Sequence, residues 1–402
     1  MNEDIRQRQR VEDTIASAGI TFAIAADASG QQFATDRTAF RKGRYALFEL
    51  IQHASNQGRR FITYTSDGPD LDFKKAWATV LLLFQAISRS AGEFMRTLIF
   101  DTDIGVDDAF ALAYAARTQR LLGITTVFGN VAVGQAVKNA RLFCEKMQID
   151  APIYRGCARP LALAPSEPAK LHGEDGLGDA FDNAYSDMAP GAVQFIIDSV
   201  RAQPHEITLV AIGPLTNIAN AINQAPDIIP LVKELVIMGG AFGTDGHSGN
   251  VTPFAEFNIW KDPHAADQVL SSALKVVVMP LDVTHKVLIS GQEVRQLNQP
   301  VLNAIVRPYL AYSLQKEGFD GMALHDTLAI AWLCQPEAFQ LAEGPLRVIT
   351  EGIARGQTVR KLSALASRED PFRNVPAQRV ALGVNAAQVR DHFLRTLSGR
   401  SE

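Results

Sequence analysis

The sequence predicts an α/β protein built on an open, mostly parallel sheet flanked by helices, with an appended segment in front of it. Three observations carry that expectation. From Met95 onward, short apolar or β-branched runs alternate with longer helical stretches. Turn-forming Gly, Pro, Asn and Asp stand at the junctions. The runs ITLVAI, LVIMGG and LKVVVMPLD read as buried strands that each run into a turn.

Taken in order, RTLIF at Arg96 to Phe100 is a strand and AFALAYAARTQ, from Ala109, the helix after it. GITTVFGN from Gly123 is a second strand closing on a Gly-Asn turn, followed by a helix from Gly134 to Met147. A further strand begins at Ile207, turns at Gly213 and Pro214, and leads into another helix. Strands at Leu235 and Leu274 follow. The recurring unit is strand, polar loop, helix, which puts functional loops at the C-terminal ends of the strands. No repeat of fixed period is visible.

The first 94 residues differ. They hold helix-like pieces (Asp4 to Ser17, Arg44 to Ser55, Lys74 to Ser88) and the strand-like FITYT at Phe61, but no chemical constellation. MRTLIFDTD at Met95 reads as an ordinary protein beginning, a Met followed directly by a core strand. Residues 1–94 are therefore expected to be an appended region or an upstream start-site artefact, dispensable for chemistry, and residues 95–402 the catalytic domain.

With 402 residues, 47% hydrophobic and 20% charged, the chain can build a sizeable core. Lys and Arg number 39 against 43 Asp and Glu, a formal charge of -4, and no basic tract stands out. That balance argues against nucleic acid and against a polybasic membrane contact, and favours a small-molecule partner. Cys144, Cys157 and Cys334 form neither a disulfide framework nor a zinc pattern, which suits a reducing cytoplasm. MNEDIRQRQR lacks the apolar core of a signal peptide. AWATVLLLF, from Ala76 to Phe84, falls short of the ~20 residues that cross a bilayer and reads as a buried or interfacial helix.

The chemistry concentrates in LIFDTDIGVDDAFAL, from Leu98 to Leu112. Asp101 and Asp103 share one face of the strand by its two-residue period, Gly105 permits a tight turn, and Asp107 and Asp108 begin the helix. A purely structural account exists, with Asp107 as cap, Asp108 in the first turn and the others solvated. It leaves the mutual repulsion of converging carboxylates unanswered. A hard divalent cation answers it, and oxygen-only ligands point to Ca²⁺ or Mg²⁺ rather than zinc.

The pattern D-x-D-x-G-x-D-D-A resembles the N-terminal signature of the inosine-uridine nucleoside hydrolases, which cleave the N-glycosidic bond of ribonucleosides. Further segments match in the family's order: GN at Gly129, LHGEDGLGD from Leu171, AIGPLTNIA from Ala211, IMGG from Ile237, GNVTPFAEFNIWKDP from Gly249, LDVTHKV from Leu281 and LHDTLA from Leu324. The resemblance spans the chain from Met95 to its C-terminus, and as a set it is highly specific. It implies an open, Rossmann-like parallel sheet, the nucleoside hydrolase fold, and a homodimer or homotetramer.

Hydrolysis of a ribosyl–base bond passes through an oxocarbenium-like cation, so the site needs an activated water, a grip on the ribose and help for the leaving base. By resemblance, Asp103 touches the metal and takes the proton of the attacking water, with Asp108, the Ile212 carbonyl and Asp326 as further metal ligands and Asp101 behind them. This oxygen-rich set favours Ca²⁺. The resemblance gives Asp107 and Asn130 to ribose hydroxyls, Asn250, Glu256 and Asn258 to the 3′- and 5′-hydroxyl region, and packs Met238 near the sugar. Glu256 and Asn258 would share one face if AEFN is extended, with Phe254 and Phe257 turned away. Asn250 also reads as a plain turn residue, and Asp326 alone as a helix cap.

His325 corresponds to the family's proposed general acid, since imidazole titrates near neutrality. His172 lies in a Gly-rich, hence mobile, loop resembling the base-side lid. His285 reads as scaffold. The loop GGAFGTDGHSG before Asn250 is longer than in the shorter family members. Retaining His325, with Trp260 and Trp332 outside the base-stacking motifs, leans toward inosine, uridine or pyrimidine nucleosides. Two other readings exist: a haloacid-dehalogenase-type phosphatase, which leaves AEFN and LHDTLA unexplained, and a catalytically silent nucleoside sensor.

Overall fold

A computed structural model describes residues 95–167, 170–362 and 368–398. The helix-like and strand-like pieces read before Met95, the apolar window Ala76 to Phe84 among them, lie outside the described residues.

β1 (Thr97–Thr102) sends Leu98 and Phe100 into one buried cluster and Ile99 into another, as a two-residue period requires of a strand covered on both faces. The strand–helix units then follow: α1 (Val106–Thr118), β2 (Arg120–Thr126), α2 (Val133–Met147), β3 (Ile153–Arg155), α3 (Ala192–Ala202), β4 (Ile207–Ala211), α4 (Thr216–Gln224) and β5 (Glu234–Met238). The helices α5 (Phe257–Lys261) and α6 (Pro263–Leu270) lead to β6 (Val276–Met279) and the single turn α7 (Leu281–Thr284). An excursion follows through β7 (Leu288–Ser290), α8 (Gly291–Gln296), α9 (Pro300–Ile305), α10 (Arg307–Glu317) and β8 (Gly321–Ala323). α11 (Thr327–Cys334), β9 (Phe339–Val348), β10 (Thr358–Arg360), β11 (Ala377–Val384) and α12 (Ala386–Ser398) complete the unit.

Nine strands form one sheet in the order β10-β9-β11-β6-β5-β4-β1-β2-β3. Only β9 runs against its neighbours. β7 and β8 pair separately as an antiparallel ribbon. From β3 to β6 the order is that of a doubly wound sheet whose winding reverses between β1 and β4. Sheets of this kind bind ligands in a crevice outside the carboxyl ends of the two strands at that reversal. The Ile212 N–H donates to the Asp101 carbonyl at 2.9 Å, so pairing continues to the lip of the crevice.

Two helices bring chemistry to that lip. α1 is apolar around nearly its whole circumference, burying Val106 and every residue from Asp108 to Ala115, so it lies inside the protein rather than on its surface. It begins at Val106, earlier than its apolar run suggested, because Gly105 rather than Asp107 occupies the cap position. α11 buries Thr327 through Leu333 and packs against α1. The Leu324 N–H to Val287 carbonyl bond, 2.9 Å, fixes the approach to α11. LHDTLA thereby reaches the end of the first strand. Among the described residues, no helix is long and apolar enough to cross a membrane.

Candidate active site

Carboxylate oxygens of Asp107, Asp108 and Asp326 all lie within 4.8 Å of one another, buried or nearly so. Asp108 is fixed from three sides: by the Thr102 hydroxyl at 2.5 Å, the Gly105 N–H at 2.9 Å and the Asn130 amide at 3.0 Å. Asp326 stands at the cap position of α11, but its side chain makes no capping bond and is left to the cluster. Asp103 accepts the Asn130 N–H at 2.6 Å through Oδ2, while its buried Oδ1 has no partner among the described residues. Asp107 Oδ1 is equally unpartnered.

Burial sets the electrostatics. It pushes Asp107 and Asp108 up to about 6, with the Asp107 charge adding to the effect on Asp108. Asp103 and Asp326 are driven well above the usual carboxylate range, first by burial and then by the neighbouring carboxylates. Buried carboxylates crowded together without a counter-charge disfavour their ionised form, and a bound cation would relieve that penalty. The unpartnered oxygens of Asp103 and Asp107 and the all-oxygen donor set fit a hard divalent ion. The Ile212 carbonyl accepts the Asn258 amide at 2.9 Å, and a carbonyl oxygen has a second lone pair to offer.

Asp101 sits behind this group. Its Oδ1 accepts from the Thr125 hydroxyl at 2.5 Å and the Asn217 amide at 2.7 Å. Thr102, Thr125 and Asn217 escaped the sequence reading. Their signal is polarity at positions buried on a strand or at a helix start.

AEFN is not an extended edge. Glu256 caps α5, its carboxylate accepting the N–H groups of Asn258 at 2.8 Å, Ile259 at 3.1 Å and Gly240 at 3.0 Å. Ala255 forms an isolated bridge to Gln357, Glu256 is the cap, and Phe257 and Asn258 open the helix, in place of the expected two-residue alternation. The outcome still joins Glu256 and Asn258, because the Asn258 amide bonds the carbonyls of Ile212 and Met238 at the ends of β4 and β5. Burial lifts Glu256 to about 7. Met238 is buried at the end of β5. Asn250 is exposed, and its Oδ1 accepts the Phe257 N–H at 2.9 Å, so here it serves the turn.

His172 lies over the start of α1. Its Nδ1 accepts the Val106 N–H at 3.1 Å and stands 3.6 Å from Asp107 Oδ1. Burial lowers it to about 4, so the ring is neutral at pH 7 with its proton on Nε2. The glycines after it serve tight packing: Gly173, Gly176 and Gly178 adopt left-handed φ, and a Cβ on Gly178 would meet the Ile305 carbonyl at 2.1 Å. His325 Nδ1 pairs with the Thr284 hydroxyl at 2.8 Å, and its ring meets His285 edge-on at 5.2 Å. Burial, with the neighbouring imidazoles, lowers His325 to about 3. Burial thus moves it well below the near-neutral titration expected from residue type.

Known proteins share this chain's sequence pattern and fold. The family described as inosine-uridine preferring nucleoside hydrolase matches residues 98–391. The non-specific ribonucleoside hydrolase RihC of Escherichia coli O127:H6 is 40% identical over 276 residues, 66% of this chain and 88% of that protein. A probable uridine nucleosidase 1 of Oryza sativa subsp. japonica is 36% identical over 274 residues, 65% of this chain and 84% of its own. The solved purine-preferring ribonucleoside hydrolase from Gardnerella vaginalis superposes with a TM-score of 0.69 at 32% identity, covering 76% of this chain and 98% of that one. A doubly wound sheet with carboxylates at its switch point is thus, in this chain, an N-glycosyl hydrolase. The chain belongs to the inosine-uridine preferring nucleoside hydrolase family.

Proposed function

We propose that this enzyme hydrolyses ribonucleosides to free base and ribose in a calcium-dependent reaction, with inosine, uridine or other pyrimidine nucleosides as preferred substrates. The observation that carries the reading is the pair of buried, unpartnered oxygens on Asp103 and Asp107 beside the Asp108–Asp326 carboxylates. Asp103, Asp108, Asp326 and the Ile212 carbonyl would hold Ca²⁺. When bound, the ion lowers the pKa of the attacking water and gathers ribose oxygens.

In the reaction the water oxygen bonds to C1′ as the C1′–N bond breaks. The electron pair leaves with the base, and the water proton passes to Asp103. Asp107 and Asn130 grip ribose hydroxyls on one side of the cluster; Glu256, Asn258 and Asn250 hold the 3′ and 5′ end, with Met238 packed against the sugar. Glu256 is kept rigid by its three backbone bonds. His325 would act as the acid in its imidazolium form, which burial disfavours in the free enzyme, giving that proton to the departing base and returning to neutral imidazole, and the Nε2–H of His172 is a second hydrogen-bond donor on that wall.

Trp332 is buried and donates to Glu234 at 3.0 Å, and Trp260 carries the Arg355 guanidinium over its ring at 4.6 Å. That supports the lean away from tryptophan-clamped purines, although the relatives' own names span uridine, non-specific and purine-preferring activities. We place the enzyme in the cytoplasm, consistent with three free cysteines, as a homodimer or homotetramer. A rate panel on uridine, cytidine, inosine and adenosine tests the preference. Highest kcat/KM on adenosine would overturn it.

A further inference from the structure

We propose that Asn139, a residue of α2 that touches none of the cluster carboxylates, is a positioning residue that seats the His172 wall of the cleft. Its side chain is fully buried. Its Nδ2 donates to the Asp175 carbonyl at 2.7 Å, and its Oδ1 accepts from Gln135 at 2.8 Å and from Asn183 at 3.1 Å. One amide thus ties both ends of the segment after His172 to a rigid helix. That helix starts three residues beyond Asn130, which itself bonds Asp103 and Asp108.

The segment between the two ties is built to hold a shape. Asp175 Oδ1 accepts the N–H groups of Leu177 at 2.7 Å and Asp179 at 2.9 Å, and Asp179 accepts those of Glu174 and Asp175. The Gly178 N–H closes back onto the His172 carbonyl at 2.8 Å. Gly176 passes so close that a Cβ there would lie 3.1 Å from the Asn139 amide nitrogen and 2.6 Å from Val131. His172 gains its place over Val106 through this chain of contacts, so a substrate meets a wall already formed and pays little to order it.

The inference rests on His172 touching the nucleoside. A double-mutant cycle between Asn139 and His172 therefore tests it, read both as KM and as nucleoside Kd by calorimetry. Asn139→Leu keeps the volume and removes the amide; it should raise KM and Kd about tenfold, with the double variant no worse than His172→Ala alone. Calcium affinity should stay at the wild-type value. If Asn139→Leu does not fold, Asn139→Asp is read in the same cycle, since it keeps the acceptors for Gln135 and Asn183 but sets an oxygen against the Asp175 carbonyl. Wild-type KM and Kd in the variant, effects that multiply in the double variant, or an equal loss of calcium affinity would each overturn the proposal. If the wild type binds nucleoside without releasing ribose, the proposed hydrolysis fails while the Kd cycle still decides the role of Asn139.

Discussion

At the residue scale, the carboxylates of the first loop are not equivalent, and their partners say why. Asp101 takes both Thr125 and Asn217 on Oδ1 and keeps a buried, unpartnered Oδ2 behind the cluster, Asp108 is held by Thr102, Gly105 and Asn130, and Asp103 and Asp107 each present one unpartnered buried oxygen. Asp103→Asn should lower kcat by about a thousandfold or more at saturating uridine, because an amide cannot take the water proton. A kcat within tenfold of wild type would remove Asp103 from that role. His325→Ala should cost about a hundredfold on uridine and far less on p-nitrophenyl riboside, whose leaving group needs no proton. Equal losses on the two substrates would strike His325 from leaving-group assistance. Like charge packed into one loop was readable without any structure. The neutral state of His325 was not, since burial, rather than residue type, sets its titration.

At the element scale, the strands and the helices between them followed from apolar runs and turn residues, and β1, β4, β5 and β6 lie where those runs are. AEFN misled because Glu is an uncommon cap, so a local rule favoured a strand where a carboxylate instead collects the first N–H groups of a short helix. Asn139 and Asn217 were equally hidden, as single buried amides within helices leave no periodic trace. The packing of α1 on α11 is what delivers Asp326, and Phe110 of α1 is wholly buried in the same apolar cluster, its ring 6.4 Å from that of Phe393 on α12. Phe110→Ala should destabilise the protein by about 3–5 kcal/mol. Urea unfolding measures it, and a change below about 1 kcal/mol, the level of a surface substitution, would show that this core does not hold the helices together.

At the scale of the whole molecule, ion binding and pH are linked. Asp107 and Asp108, raised to about 6, favour the fold while protonated. In ion-free protein that contribution is full below the ordinary carboxylate pKa of about 4 and is lost as pH rises through about 6. A divalent cation would bind the deprotonated form. The rise in Tm on adding Ca²⁺ should therefore be small near about pH 5 and large near about pH 7.5, and a pH-independent rise would contradict the cluster as the binding site. Position in the sheet was legible as strand–loop–helix order; the reversal between β1 and β4 was not, because strand order depends on pairing between distant segments. A chain beginning at Met95 should retain both fold and turnover. Loss of either would show that residues 1–94 belong to the enzyme.

The most direct test of the account is release of free ribose from uridine and inosine by the chelator-stripped enzyme, followed as calcium is returned. Ribose and base should appear in equal amounts, at a rate that rises with calcium and is absent in Asp103→Asn. Nucleoside binding with no ribose released at saturating calcium would contradict it.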